Sequence, residues 1–287
     1  MTTPWISPHL QCGLGNRLFQ FAAALGAAES LGRHIVFYTP IFKDIHHGAI
    51  ASLFRMYPWV PLIEDEQPCI LIPEPPNTIY DYIEPPPLPS DCNAVLGGFR
   101  QSPLYFPKDL NKLAPDWEAA LGGPVVRRML ERELGLGDLA QRQRSYAVHV
   151  RLGDYKYLEH HQIPLSHYYT RALSKIPAGS RLILFSDEPH LCAAMFAPFC
   201  SEKGIEYTTA TNHTDVESLY QMSLCLGGTI TANSTFSWWA AWFAHYNGAA
   251  WATYPDTWGN GMPPLTSLFP EWGTVLAVRE GGLRAEN

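Results

Sequence analysis

Three short stretches carry side chains that could hold a departing anion. In AVHVRLGDY, residues 147–155, strand alternation puts Ala147, His149 and Arg151 on one face and Tyr146, Val148 and Val150 on the other. An arginine at the end of such a strand suits bidentate contact with a phosphate; the competing reading is an ion pair with Asp154. His149 is either a ligand contact or a core histidine with its bonds satisfied. Gly153 permits a sharp turn, and Asp154 either fixes Arg151 or receives a ligand hydroxyl. In FSDE, residues 185–188, Asp187 either caps the next helix or accepts from the N1–H and N2–H of a guanine. In TANSTFSWWAAW, residues 231–242, hydroxyls and an amide precede the tryptophans Trp238, Trp239 and Trp242. Asn233, Ser234, Thr235 and Ser237 then occupy a strand-to-helix turn. The first N–H groups of a helix lack internal acceptors and carry partial positive charge, so such a turn is either an anion site or a plain helix cap. As a general base, the nearest carboxylates are Asp154 and Glu159, and the nearest imidazole is His149.

The elements that must position these residues alternate. SYAVHVRL reads as a strand and SHYYTRALSKI, from Ser166, as a helix. RLILFS (181–186) is a strand with a helix after it, and GIEYT is a short strand. TDVESLYQMSLCL is a helix opened by the capping box Thr214/Glu217, TITA (229–232) is a strand, and FSWWAAWFAHY is a helix before the strand AAWATY (249–254). Strand and helix at this spacing imply βαβ units, a mostly parallel sheet, and ligands at the carboxyl ends of its strands. At the N-terminal end, CGLGN leads into the helical run RLFQFAAALGAAESL and the strand HIVFY (34–38). Gly13 and Gly15 permit a tight turn or a close backbone approach, and Asn16 stands where an N-cap would be. Residues 58–90 are proline-dense, which excludes helix interiors and central strands and predicts irregular surface structure packed on a first domain. A polar helix is expected over 115–134 and an interdomain connection over 135–145. The domains are therefore expected at 1–140 and 145–287, with the last segment free to pack back on the first.

Composition narrows the function. A 287-residue chain, 46% hydrophobic and 16% charged, has the material for a folded globule of one or two domains. Its net charge of −7, with no Lys/Arg stripe, argues against nucleic acid as a partner. Aromatic content of 13% suits sugar or base faces, or core and interface filling. The six cysteines form no CxxC pair, which suggests reduced thiols. No window has the roughly 18 apolar residues of a membrane span, and no secretory signal is read at the start. The expectation is a cytoplasmic protein without a transmembrane anchor, or one peripheral to a membrane. There is no DxD triplet, no metal-ligand spacing and no GxSxG elbow. EDE at 64–66 reads as a solvated turn.

These motifs resemble those of the α-1,2-fucosyltransferases, glycosyltransferase family eleven. CGLGNRLFQFA is similar to their GGxGNQxFQYA, VHVRLGDY to HxRRGDY, LGGFRQSPLYF to LDGYxQSxxYF, and FSDE to FSDD. TDVESLYQMSLCLGGTITANSTFSWWAAW follows their long C-terminal motif, and the likeness runs from about residue 10 to 245. Cys12 replaces a usual glycine and Leu152 a common second arginine. The resemblance implies an α/β fold, two Rossmann-like domains facing across a cleft (the B-type glycosyltransferase architecture). It implies inverting, metal-independent transfer of fucose from GDP-β-L-fucose to the 2-hydroxyl of a β-galactoside, with no cofactor. It implies that Arg151 contacts the diphosphate, His149 and Asp187 the guanosine, and Ser234, Thr235 and Phe236 the phosphate and ribose region. Gly15 and Asn16 would close over the donor. The alternatives are a fucosyltransferase of another linkage and a non-catalytic sugar-binding protein. A Rossmann methyltransferase or dehydrogenase would want an acidic residue after its first glycine turn, and HIVFYTP ends without one.

Overall fold

The computed structural model describes residues 3–42 and 50–279. The chain forms two compact units, one ending at Gly122 and taking in Pro263–Pro270, the other holding Gly123–Met262 and the residues from Glu271 on. The division thus falls at Gly122/Gly123, earlier than the expected 135–145 connection. Both glycines have positive φ (81° and 120°), which breaks the expected 115–134 helix into Trp117–Leu121 and Pro124–Glu133. The second piece belongs with the C-terminal unit: Tyr220 donates to Glu131 and the Gln221 amide to the Leu130 carbonyl.

In the first unit β1 (Trp5–Pro8) leads to α1 (Leu14–Ser30), followed by β2 (His34–Ile35) and β3 (Phe37–Tyr38). Next come α2 (Ala51–Met56), β4 (Leu62–Ile63), β5 (Cys69–Ile72), β6 (Asn93–Leu96) and α3 (Trp117–Leu121). The four-stranded sheet runs β2-β1-β6-β5, all parallel, with β3 and β4 forming a separate parallel pair. HIVFY therefore divides: β2 pairs β1, while β3 pairs β4. The proline-dense stretch is not wholly irregular. Its β5 is an edge strand with Pro68 before it and Pro73 after it, which is where proline is tolerated.

The start of α1 also differs from expectation. Gly13 is the N-cap, with φ −77°, so Gly15 and Asn16 lie within the helix's first turn. Cys12 is the left-handed residue, with φ 61°. Asn16 caps nothing; its Oδ1 accepts from the Gln101 amide at 2.8 Å.

The second unit contains α4 (Pro124–Glu133), α5 (Leu139–Arg144), β7 (Ser145–Val150), α6 (Ser166–Leu173), β8 (Arg181–Ser186) and α7 (Pro189–Lys203). It continues with β9 (Glu206–Thr209), α8 (Asp215–Ser223), β10 (Gly228–Ile230), α9 (Thr235–Tyr246), β11 (Ala252–Pro255) and β12 (Thr274–Leu276). Its six strands are ordered β12-β11-β10-β7-β8-β9, and every pairing is parallel. This is the Rossmann order: the chain winds outward from β7 through β8 to β9, then returns to β7's other side at β10 and winds the opposite way. The switch point lies between β7 and β10. Val148 and Val150 pack with Tyr168, Leu173, Leu184 and Phe196 on one face of the sheet. On the other, Trp238 and Trp239 of α9 are fully buried, and Trp238 stacks on Trp242 at 5.3 Å. Among the described residues no helix is long and apolar enough to cross a membrane.

Candidate active site

The three stretches converge at neighbouring strand ends. The registers Ile230↔Val148 and Val150↔Ser186 carry β10, β7 and β8 side by side. Arg151–Tyr155 and Asp187 follow β7 and β8 directly, and Asn233–Ser237 begins three residues after the end of β10. Across the switch point, the rings of His149 and Phe236 lie 5.5 Å apart.

Arg151 is held from several sides. Nη2 is 2.5 Å from Asp154 Oδ1, Nε is 3.4 Å from Asp187 Oδ2 without hydrogen-bond geometry, and the guanidinium carbon is 5.0 Å from the Tyr155 ring centroid. The two carboxylates are unlike. Asp154 is exposed, whereas Asp187 is fixed, its Oδ1 accepting the Leu152 N–H at 2.9 Å. Burial acts to raise the Asp187 pKa. The Leu152 N–H, the Arg151 charge, the Gly153 N–H and His149 outweigh it, so the carboxyl lies below its ordinary range. Asp187 is not the cap of the next helix, since Glu188 occupies the N-cap of α7. It clamps the turn that carries Arg151.

Gly153 serves that clamp by leaving room. Its φ is −58°, so no left-handed backbone requires glycine, but a Cβ there would meet Asp187 Oδ2 at 2.8 Å. Leu152, in place of a second arginine, packs its side chain against the core while its N–H holds Asp187.

His149 is 5% exposed, and its Nδ1 is buried without a hydrogen-bond partner. A core histidine with satisfied bonds would not show this. Burial, then the nearby Arg151 charge, depress its pKa to about 3 against an opposing pull from Asp187, so the ring is neutral at ordinary pH.

The start of α9 lacks a side-chain cap. Ser234 is the N-cap, with φ −144° and ψ 126°, yet its hydroxyl makes no capping bond. It interacts with Tyr155 instead. Trp238 N–H to Ser234 O, 3.0 Å, is the first intrahelical bond, which leaves the N–H groups of Thr235, Phe236 and Ser237 ahead of it. The Ser237 hydroxyl points back, accepting from Ala232 N–H and donating to Ser234 O. The simple capping reading of this stretch is therefore not what the fold builds.

Asn233, 1% exposed, directs its Nδ2 to the carbonyls of Trp258 (3.0 Å) and His161 (3.4 Å). It ties the loop after β11 to the segment after β7. Glu159 is exposed on that segment, and its carbonyl accepts from Asn260. Gly15 and Asn16 lie in the first unit. Tyr155 and His161, which sequence reasoning passed over, stack at 4.3 Å and 11° within the cluster. An aromatic residue directly after the RLGD turn was the available signal for Tyr155; nothing marked His161.

No curated protein matches the sequence. Among solved structures, the chain is similar to the NodZ α-1,6-fucosyltransferase co-crystallised with GDP, at 14% identity over 84% of this chain and 92% of that one, TM-score 0.49. It is likewise similar to the fucosyltransferase NodZ from Bradyrhizobium, at 14% identity over 84% of this chain and 93% of that one, TM-score 0.49. It is also similar to POFUT1 in complex with GDP-fucose, at 14% identity over 98% of both chains, TM-score 0.44. At these scores neither likeness bears on the chemistry. Residues 125–258, which reach from α4 to the loop after β11 and include every site group described in the second unit, match the family model of Glycosyl transferase family 11.

Proposed function

We propose that the chain is a fucosyltransferase that uses GDP-β-L-fucose and transfers fucose, with inversion and without a metal ion, to the 2-hydroxyl of a β-galactoside. The observation that carries this reading is the meeting of Arg151 and the uncapped α9 start at the β7/β10 switch point, inside the stretch matching Glycosyl transferase family 11. The departing diphosphate gains negative charge in an oxocarbenium-like transition state. Preorganised cations and N–H groups aimed at that charge lower the barrier. Asp154 is exposed, so a phosphate oxygen can take its place on Nη2, while the fixed Asp187 keeps the guanidinium oriented. Neutral His149 offers Nδ1 to the nucleoside, and Thr235 and Phe236 offer their N–H groups to the phosphates. The acceptor oxygen bonds to the fucose anomeric carbon as that carbon's bond to the diphosphate oxygen breaks. With the leaving group so stabilised, the hydroxyl needs no strong base, and its proton passes to solvent.

The test is incubation with GDP-fucose and a panel of β-galactosides in EDTA, with the product linkage assigned by NMR. A 2-O-fucosylated galactoside is expected. Transfer to another hydroxyl would remove the linkage. A protein that binds galactosides but ignores GDP would be a sugar-binding module instead.

A further inference from the structure

Tyr155 touches both charged parts of the site. Its hydroxyl donates to the Asn233 carbonyl at 3.2 Å, immediately before the α9 N-cap. Its ring lies 5.0 Å from the Arg151 guanidinium carbon and stacks on His161. His161 is secured in turn. Its carbonyl accepts from Asn233, and the carbonyls of Glu159, His160 and Gln162 around it accept from Asn260. Gly259 allows this closeness, since a Cβ there would meet His160 O at 2.9 Å. Burial, and then His160, depress the His161 pKa to about 4, so a neutral ring backs Tyr155 and no second cation opposes Arg151.

We infer that Tyr155 is a positioning residue that sets the Arg151 guanidinium and the α9 start in one fixed geometry for the departing diphosphate. The inference rests on reading this site as the GDP-fucose pocket. A long side chain at a strand end samples many rotamers, and ordering it before the substrate arrives removes that cost from the reaction. The aromatic face supplies the order for Arg151, and the hydroxyl supplies it for the turn at Asn233.

Tyr155→Ala would leave a hole against His161, so the test compares Tyr155→Phe with Tyr155→Leu, which both fill the space. Phe keeps the ring and loses only what the hydroxyl makes, its bond to the Asn233 carbonyl and its interaction with Ser234. Its kcat should stay within about threefold of wild type. Leu removes the ring, and kcat should fall about tenfold or more while the KM for GDP-fucose and the calorimetric Kd for GDP change less than about threefold. If Tyr155→Leu does not fold, Tyr155→Met takes its place. Leu or Met matching Phe in kcat would overturn the inference, as would a change confined to KM. A wild-type protein that binds no GDP would bring down the pocket reading itself, and with it the role of Tyr155.

Discussion

Gly153 lies beneath Asp187, with 2.8 Å between the carboxylate Oδ2 and the place where a Cβ would stand. The turn that presents Arg151 can close on Asp187 only because that side chain is absent. Gly153→Ala should push the carboxylate away and release Arg151. Overpacking of this kind costs about 1–3 kcal/mol. The expectation is a lowered urea midpoint with a fall in kcat of about tenfold or more. Unchanged kinetics in a folded Gly153→Ala protein would show that the clamp does not orient Arg151.

Asp154→Asn separates two roles for the exposed carboxylate. As a displaceable partner of Arg151, its neutralisation should tighten GDP binding by up to about fivefold, the range of a surface ion pair, with kcat little changed. As a general base, its loss should lower kcat by about a hundredfold. Calorimetry with GDP beside steady-state kinetics distinguishes them, and the first pattern is expected.

Stability should fall as pH drops below neutral. His149 takes up its proton near pH 6.5 when unfolded but only near 3 when folded. Across that window the unfolded chain binds more protons, so stability decreases with falling pH by up to about 1.4 kcal/mol per pH unit. His161, depressed to about 4, acts in the same direction. Urea midpoints between pH 4.5 and 8 should be level at the alkaline end and decline below about 6.5. In His149→Phe the decline should be shallower, and an identical slope would contradict the buried neutral ring.

Cys12 adopts φ 61°. Cys12→Gly should leave stability unchanged or slightly raised, whereas Cys12→Val should lose about 1–2 kcal/mol, because a β-branched side chain is poorly tolerated in the left-handed region. Thermal melts of the two variants check this, and equal melting temperatures would count against the turn.

Much of the second unit was legible in the sequence, because its strands and helices announce themselves by period and cap. RLILFS is β8 residue for residue, and the Thr214/Glu217 capping box opens α8 as read. The first unit was less so. β1 is four residues beside proline, β5 hides in the proline-dense stretch, and HIVFY splits between two sheets through pairing partners distant in sequence. In the site, alternation placed His149 and Arg151 correctly relative to the core. The roles of Asp187 and Asn233 could not be read, because each depends on backbone groups that only the folded turn brings near: Leu152 N–H for one, the Trp258 and His161 carbonyls for the other.

The central claim is that Arg151, with the α9 start, meets the charge of the departing diphosphate. The direct measurement is kcat for fucosyl transfer by Arg151→Ala and Arg151→Lys in EDTA, with GDP affinity measured alongside. One preorganised donor contributes about 2.7–4 kcal/mol, so Ala should lose roughly a hundred- to a thousandfold in kcat. Lys, lacking the planar fork, should recover little of it. Near-normal turnover by Arg151→Ala would contradict the account.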